Sequence, residues 1–271
     1  MTDPLFDVSG QRVLITGGLG QIGTEFVRAF QSRGATVYVA SRSVTQDKLD
    51  AHFGDSSGLV PVRFDVTDAD GVRAALRDIA DDGGPVTTVV NNAGLDTQPS
   101  APPEVSGPFE DFPVDVFREV VDVNLTGTFI VTQAAGSEMR RADVAGSIIN
   151  VGSIYGMLSP VQDIYAYRAE QGQPFTKPVA YSAAKSGLYN LTRYCATYWG
   201  RHGIRVNTLT PSGVARDTQD ATFQANYTAR MPIGRMAEAD EFNGAAIFLA
   251  SDASRYMTGA NLVVDGGWTA W

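Results

Sequence analysis

Short apolar runs recur along the chain, with room for a helix between most neighbours. Arg12-Val13-Leu14-Ile15-Thr16, Ala35-Thr36-Val37-Tyr38-Val39-Ala40, Val60-Pro61-Val62-Arg63-Phe64 and Thr87-Thr88-Val89-Val90 have the length and β-branched content of buried strands. So do Ser147-Ile148-Ile149-Asn150-Val151 and Ile204-Arg205-Val206-Asn207-Thr208-Leu209, and Asn261-Leu262-Val263-Val264-Asp265-Gly266-Gly267 closes the sheet. Between them, Phe26, Val27 and Phe30 mark a helical stripe ending near Gly34. Ala69 to Ala80 reads as an amphipathic helix, Val114 to Gly136 as a long apolar one, and Glu238 to Leu249 as another. A further helix runs from Tyr181. Strands alternating with helices predict right-handed crossovers and a parallel, doubly wound sheet: an α/β fold of the Rossmann type, one domain over 1–271. Leu95 to Pro113 is proline-rich and aperiodic, Met157 to Pro178 is irregular, and Ala215 to Arg230 is polar and rich in turn formers. No repeat, low-complexity tract or interdomain linker interrupts the pattern.

A net charge of −9 disfavours nucleic acid and anionic membrane as partners. One cysteine, Cys195, rules out an internal disulfide; Leu188 and Leu191 share its helical face, so it reads as packing rather than a nucleophile. With only His52 and His202, a histidine metal site has little to draw on. No apolar stretch approaches the ~18 residues of a membrane span. Met1-Thr2-Asp3-Pro4 has no basic segment leading into an apolar run, so no signal peptide is read there. The expectation is a cytoplasmic protein.

The chemistry-bearing residues fall at the ends of the strands. Gly17-Gly18-Leu19-Gly20-Gln21-Ile22-Gly23 follows the first strand and opens a helix, an arrangement that turns backbone N–H groups and a helix N-terminus toward a pyrophosphate. Where an acidic residue would hold the ribose 2′-hydroxyl of NAD, the second strand ends in Ser41-Arg42. A guanidinium suits a 2′-phosphate, so NADP(H) is favoured, with NAD(H) possible. The third strand ends at Asp65-Val66, the fourth at Asn91-Asn92-Ala93-Gly94, and the fifth at Gly152-Ser153-Ile154-Tyr155-Gly156. Asn124 lies on an apolar helix, where a buried amide needs partners. Tyr181 and Lys185, four apart in A-Y-S-A-A-K, project from one helical face, where an ammonium favours the phenolate.

Together these motifs resemble the short-chain dehydrogenase/reductase family over essentially the whole chain. They are T-G-G-L-G-Q-I-G at 16–23, Asp65, N-N-A-G at 91–94, Asn124, Ser153, Y-S-A-A-K at 181–185, Asn207 with Pro211, and V-D-G-G at 264–267. The resemblance implies a catalytic set of Asn124, Ser153, Tyr181 and Lys185. Tyr181 would exchange a proton with the substrate oxygen while hydride moves to or from the nicotinamide. Ser153 would hold that oxygen, and Lys185 would lower the Tyr181 pKa and bind the ribose. Asn124 would hold a water linking Lys185 to solvent. Gly17, Gly20, Gln21, Ile22, Gly23, Ser41, Arg42, Asp65, Val66, Asn91, Asn92, Ala93, Gly94, Pro211, Gly213 and Val214 would surround the cofactor.

This chain departs from the family pattern in three places. Gln21 stands where the glycine loop usually has glycine. Arg216 stands where a threonine usually follows Pro211. Ser153 and Tyr181 are separated by an insertion, about 157–178, with Gln162 to Lys177 as a candidate hairpin. Because it leaves the catalytic serine and returns to the tyrosine, it borders the substrate or, alternatively, braces an oligomer. Its Tyr165, Tyr167 and Arg168, with Ser153 and Tyr155, suit a sugar or other hydroxylated carbonyl or alcohol; Arg168 either binds an anionic substituent or pairs with Asp163 or Glu170. S-I-Y-G and the insertion are similar to bacterial reductases of surface-sugar and flagellin-glycan synthesis. The alternatives are a 3-oxoacyl-thioester reductase acting on an acyl carrier protein, and a nucleotide-binding protein without catalysis. The stripe Leu188, Leu191, Cys195, Tyr198 and Trp199, with Trp268 and Trp271, predicts a homotetramer, or else a dimer.

Overall fold

The computed structural model describes residues 3–271, so Met1 and Thr2 of the amino-terminal reading lie outside it. β1 (Arg12–Thr16), β2 (Thr36–Ser41), β3 (Leu59–Arg63), β4 (Thr88–Asn91), β5 (Gly146–Val151), β6 (Ile204–Pro211) and β7 (Asn261–Val264) form a sheet in the order β3-β2-β1-β4-β5-β6-β7. Every neighbouring pair is parallel, as the alternation of apolar runs and helices requires. The chain reverses direction across the sheet between β1 and β4. That switch opens a crevice at the carboxyl ends of the strands.

α1 (Gln21–Gln31), α2 (Gln46–Phe53) and α3 (Ala69–Asp81) serve the first half. α4 (Val114–Val121) passes through a π-helical turn, Asp122–Thr126, into α5 (Gly127–Arg141). α6 (Ile154–Met157) and α7 (Tyr167–Glu170) are single turns; α8 (Val179–Trp199), α9 (Ala221–Thr228) and α10 (Asn243–Ala250) complete the set. α2 and α9 were not foreseen. Both carry a local signal, since Thr45 accepts from Lys48 N and Asp220 from Thr222 N at their amino ends.

One face of the sheet packs Ile15, Val39, Ile149 and Leu209 against Phe26, Phe30 and Leu249. The other packs Leu14, Val89 and Ile148 against Leu76, Val131, Met139 and Cys195. Truncating one such side chain to alanine costs about 2–5 kcal/mol. Cys195 is thus a packing residue, and burial pushes its thiol up to about 11. A third cluster caps the crevice: Tyr155, Tyr165, Phe175, Phe223, Tyr227, Met231 and Trp268.

Two expectations are corrected here. The insertion is not a hairpin; it folds as a 3-10 turn, Gln162–Tyr165, followed by α7. Trp268 is buried at 5% within its own chain, stacked near Tyr227 at 4.4 Å between ring centres, so it needs no partner subunit to cover it. Trp271 remains exposed. Among the described residues no helix is long and apolar enough to cross a membrane, and no cluster of histidine, cysteine and carboxylate side chains could hold a metal ion.

Candidate active site

A cavity of about 550 Å³ follows the carboxyl ends of the strands, from Ser41 and Arg42 past the glycine loop to Ser153 and Tyr181. Its phosphate end is built from backbone. Gly17 has φ +65, and a Cβ there would stand 3.0 Å from Ala93 Cα; one on Gly23 would fall 2.2 Å from Gly17 O. No side chain caps the first turn of α1, which leaves its N–H groups for an anion. Asn92 ties this loop to β4, its amide nitrogen donating to Thr16 O at 3.2 Å and Gly17 O at 3.1 Å. These features fit a dinucleotide.

Gly17, Gly20, Gln21, Ile22, Ser41, Arg42, Asn92, Ala93, Gly94, Pro211, Gly213 and Val214 all line the cavity. Gly23 lies behind the loop as a packing position, and Val66 packs toward Gly127, where a Cβ would meet it at 2.7 Å. Asp65 Oδ1 accepts from Thr67 N and Oγ1, and these hydrogen bonds hold its carboxyl below the ordinary value. Arg42 is loosely paired with Asp65 at 4.0 Å, its side chain 76% exposed, so it can swing to a ligand at little cost. Asn91 is a correction. It is buried in the sheet, donating to Thr132 Oγ1 and Asn150 Oδ1, both at 2.9 Å, and does not face the cavity.

The reacting end is assembled by α8. Lys185, 4% exposed, donates to Val151 O at 2.7 Å, and its ammonium lies 5.8 Å from the centre of the Tyr181 ring. Burial pulls Lys185 down to about 8, opposed by the charge of Asp96. Tyr181 moves the other way: burial, reinforced by Asp96, raises its hydroxyl above the ordinary value, with Ser153 opposing. The expected lowering by Lys185 is therefore not a property of the chain alone. Desolvation is the largest cause of that rise, and it favours the neutral phenol. Ser153 caps α6, its hydroxyl accepting from Tyr155 N at 3.1 Å.

Asn124, fully buried in the π-helical turn, spends its side chain on Leu95: Oδ1 accepts from Leu95 N at 2.6 Å and Nδ2 donates to Leu95 O at 2.8 Å. That amide pins the segment following N-N-A-G beside Lys185, using one of its donors and one of its acceptor sites.

Tyr155 and Tyr165 line the cavity, their hydroxyls 3.2 Å apart. Tyr167 and Arg168 do not. Tyr167 is buried, and Arg168 donates to Gln171 and Gln173 rather than pairing with Asp163 or Glu170. Their assignment to the substrate is corrected accordingly. The reading of the sequence missed Asp96, Gln98, Lys177, Gln219, Phe223 and Tyr227, all on the cavity wall. It also missed that its two unusual residues meet. Arg216 Nε donates to Gln21 Oε1 at 2.6 Å, and Gln21 Nε2 donates to Ala215 O at 2.7 Å, a strap between α1 and the segment after β6.

This crevice, with serine, tyrosine and lysine gathered beside a glycine-built phosphate cradle, defines a dinucleotide-dependent enzyme site. The chain belongs to the short-chain dehydrogenase/reductase family: a family model described as enoyl-(acyl carrier protein) reductase matches residues 19–269. It is 33% identical to a trans-4-hydroxycyclohexanecarboxylate dehydrogenase of Sinomonas cyclohexanicum, covering 97% of this chain and 94% of the relative. It is 34% identical to a galactitol 2-dehydrogenase of Rhizobium johnstonii, covering 98% of each. A crystal structure of a gluconate 5-dehydrogenase from Burkholderia cenocepacia in complex with NADP and tartrate superposes with a TM-score of 0.84 at 31% identity, covering 99% of this chain and 98% of that one. Solved relatives hold NADP or NAD. The protein is an oxidoreductase of this family that uses a nicotinamide dinucleotide to interconvert an alcohol and a carbonyl.

Proposed function

We propose that the chain interconverts a secondary alcohol and a ketone on a small hydroxylated substrate, with Tyr181 as the acid and base, and that it prefers NADP(H) to NAD(H). The observation that carries this reading is the convergence of Ser153, Tyr181 and Lys185 on a cavity walled by tyrosines and polar side chains. Bound in the crevice, the nicotinamide ring would supply or accept the hydride. Tyr181, protonated in the chain alone, gives its proton to the oxygen of a carbonyl during reduction and takes it back during oxidation. Ser153 holds the same oxygen by hydrogen bonding, which orients the substrate. Lys185 would bind the ribose and favour the phenolate as it forms. Arg42 would hold the 2′-phosphate.

Relatives named for a polyol, a sugar acid and a hydroxylated ring acid support a polar alcohol as substrate. The family model's description brings an acyl carrier protein to mind, but a chain of net charge −9 is a poor partner for an acidic carrier. An acetoacetyl thioester in the assay separates the two. The test is a panel of polyols, ketoses, nucleotide sugars and a thioester, followed by nicotinamide absorbance with each cofactor. Turnover of a polyol or ketose, faster with the phosphorylated cofactor, is the expected result. We also read the protein as a cytoplasmic homotetramer, with a dimer as the alternative. The exposed Phe129, Tyr194 and Tyr198 on α5 and α8, and the exposed Trp271, support association.

A further inference from the structure

Lys177 brings a buried cation to the reacting end of the cavity. It ends the insertion, its side chain 5% exposed, and its ammonium donates to Asp96 Oδ1 at 2.6 Å and to Thr97 O at 2.8 Å. Gln162 holds the Lys177 peptide from both sides, accepting from its N at 2.9 Å and donating to its O at 3.1 Å. The position is therefore preorganised. The ammonium lies 5.4 Å from the centre of the Tyr181 ring and 6.0 Å from that of Tyr155. Lys177, Asp96 and Gln98 wall the same cavity as Ser153 and Tyr181.

The hydrogen-bond inventory of this pair is incomplete among the described residues. An ammonium carries three donors, and Lys177 uses two on Asp96 and Thr97. Among the described residues, Asp96 Oδ2 meets only the Gln98 amide, and at 3.4 Å. A spare donor and a spare acceptor thus stand together beside the catalytic tyrosine. A group that donates and accepts at once satisfies both, and a hydroxyl is the simplest one. A carboxylate is a worse match. Asp96 already neutralises the lysine, and a second anion would lie against the first in a site of low dielectric. A bare hydrocarbon would leave both groups desolvated without partners.

The structure assigns to the Asp96–Lys177 pair a substrate subsite for a neutral hydroxyl on a carbon beside the reacting one. That hydroxyl donates to Asp96 Oδ2 and accepts from Lys177 Nζ. This rests on the alcohol–carbonyl reading above and narrows its substrate class to vicinal diols and α-hydroxy ketones.

The test uses the full chain and three alcohols: a vicinal cyclohexanediol, cyclohexanol, and cyclohexanol bearing a carboxylate on the neighbouring carbon. The diol is expected to exceed both others in kcat/KM by about 100-fold or more, because a site built around a hydroxyl rejects analogues lacking it. Lys177→Met and Asp96→Asn should each shrink the ratio of diol to cyclohexanol to a few-fold, chiefly through KM on the diol. Unchanged NADPH affinity, read by nicotinamide fluorescence, shows that the variants are folded. Equal use of diol and cyclohexanol by the wild type would overturn the assignment, and so would variants that keep the full ratio. A preference for the carboxylated alcohol would make the pair an anion site instead. If none of the three turns over, the polyol and ketose panel above decides the alcohol–carbonyl reading separately. The same compounds, titrated into the NADPH-saturated protein, then decide the subsite by the same ranking of affinities.

Discussion

The Tyr189 hydroxyl donates to the backbone carbonyl of Ser153 at 2.8 Å, so α8 holds the serine that its own Tyr181 must face. Lys185 makes a second tie from the same helix to β5, through Val151 O. The spacing of Ser153 and Tyr181 is thus set by α8 gripping the end of β5. This explains how the long insertion between them can be accommodated. Tyr189→Phe should lower kcat by roughly fivefold to tenfold, the worth of one neutral hydrogen bond, while cofactor affinity stays near wild type. Steady-state rates with a saturating cofactor check it; an unchanged kcat would show that the tie is dispensable.

Arg42 is exposed and loosely held, which suits a residue that moves onto a ligand phosphate. Arg42→Ala should weaken NADPH by about tenfold or more and leave NADH within about twofold, since only the former carries the 2′-phosphate. Fluorescence titrations of both cofactors decide it. Tighter NADH binding by the wild type would contradict the preference.

The Gln21–Arg216 strap makes a different demand. It joins the glycine loop to the segment after β6, so it should matter equally to both cofactors. Arg216→Ala is expected to weaken NADPH and NADH by similar factors of about 3–10. A loss confined to NADPH would place Arg216 at the 2′-phosphate instead.

Much of this was legible from the chain itself. The apolar runs locate the first six strands within about two residues, because burial on both faces leaves little freedom in composition, while the seventh stops at Val264, short of the expected Gly267. The motifs at their ends give the glycine cradle and the Ser153, Tyr181 and Lys185 constellation. What escaped depends on contacts across long separations. Gln21 and Arg216 read separately as departures from a pattern, yet they are partners over 195 positions. Lys177 enters the sequence only as the end of the insertion, and its partner Asp96 lies 81 positions away. Tyr167 and Arg168 look like sugar ligands by type, but a single turn of α7 directs them away from the cavity. The burial that raises Tyr181 in the chain alone also escaped, because four-residue spacing reports a nearby ammonium and not desolvation.

The buried Lys185 also leaves a signature in stability. Its pKa falls from 10.5 to about 8 on folding, so between those values the unfolded chain binds more protons at this position. Its contribution therefore rises with pH across that window and is least favourable below it. Tyr155, raised from 10.0 to about 12, acts in the opposite sense, losing stability as pH rises through its own window. The difference in unfolding free energy between wild type and Lys185→Met should climb from pH 8 to pH 10. Denaturant melts at those values test this; a flat difference would mean that Lys185 is not desolvated in solution.

The most direct test is Tyr181→Phe, with NADPH titration alongside turnover on the best alcohol of the panel. The substitution removes only the hydroxyl that gives and takes the proton. The expected result is a fall in kcat of about 100-fold to 10,000-fold with NADPH affinity within about twofold of wild type, as for removal of a general acid. Turnover near the wild-type rate would contradict the assignment of Tyr181 and the mechanism built on it.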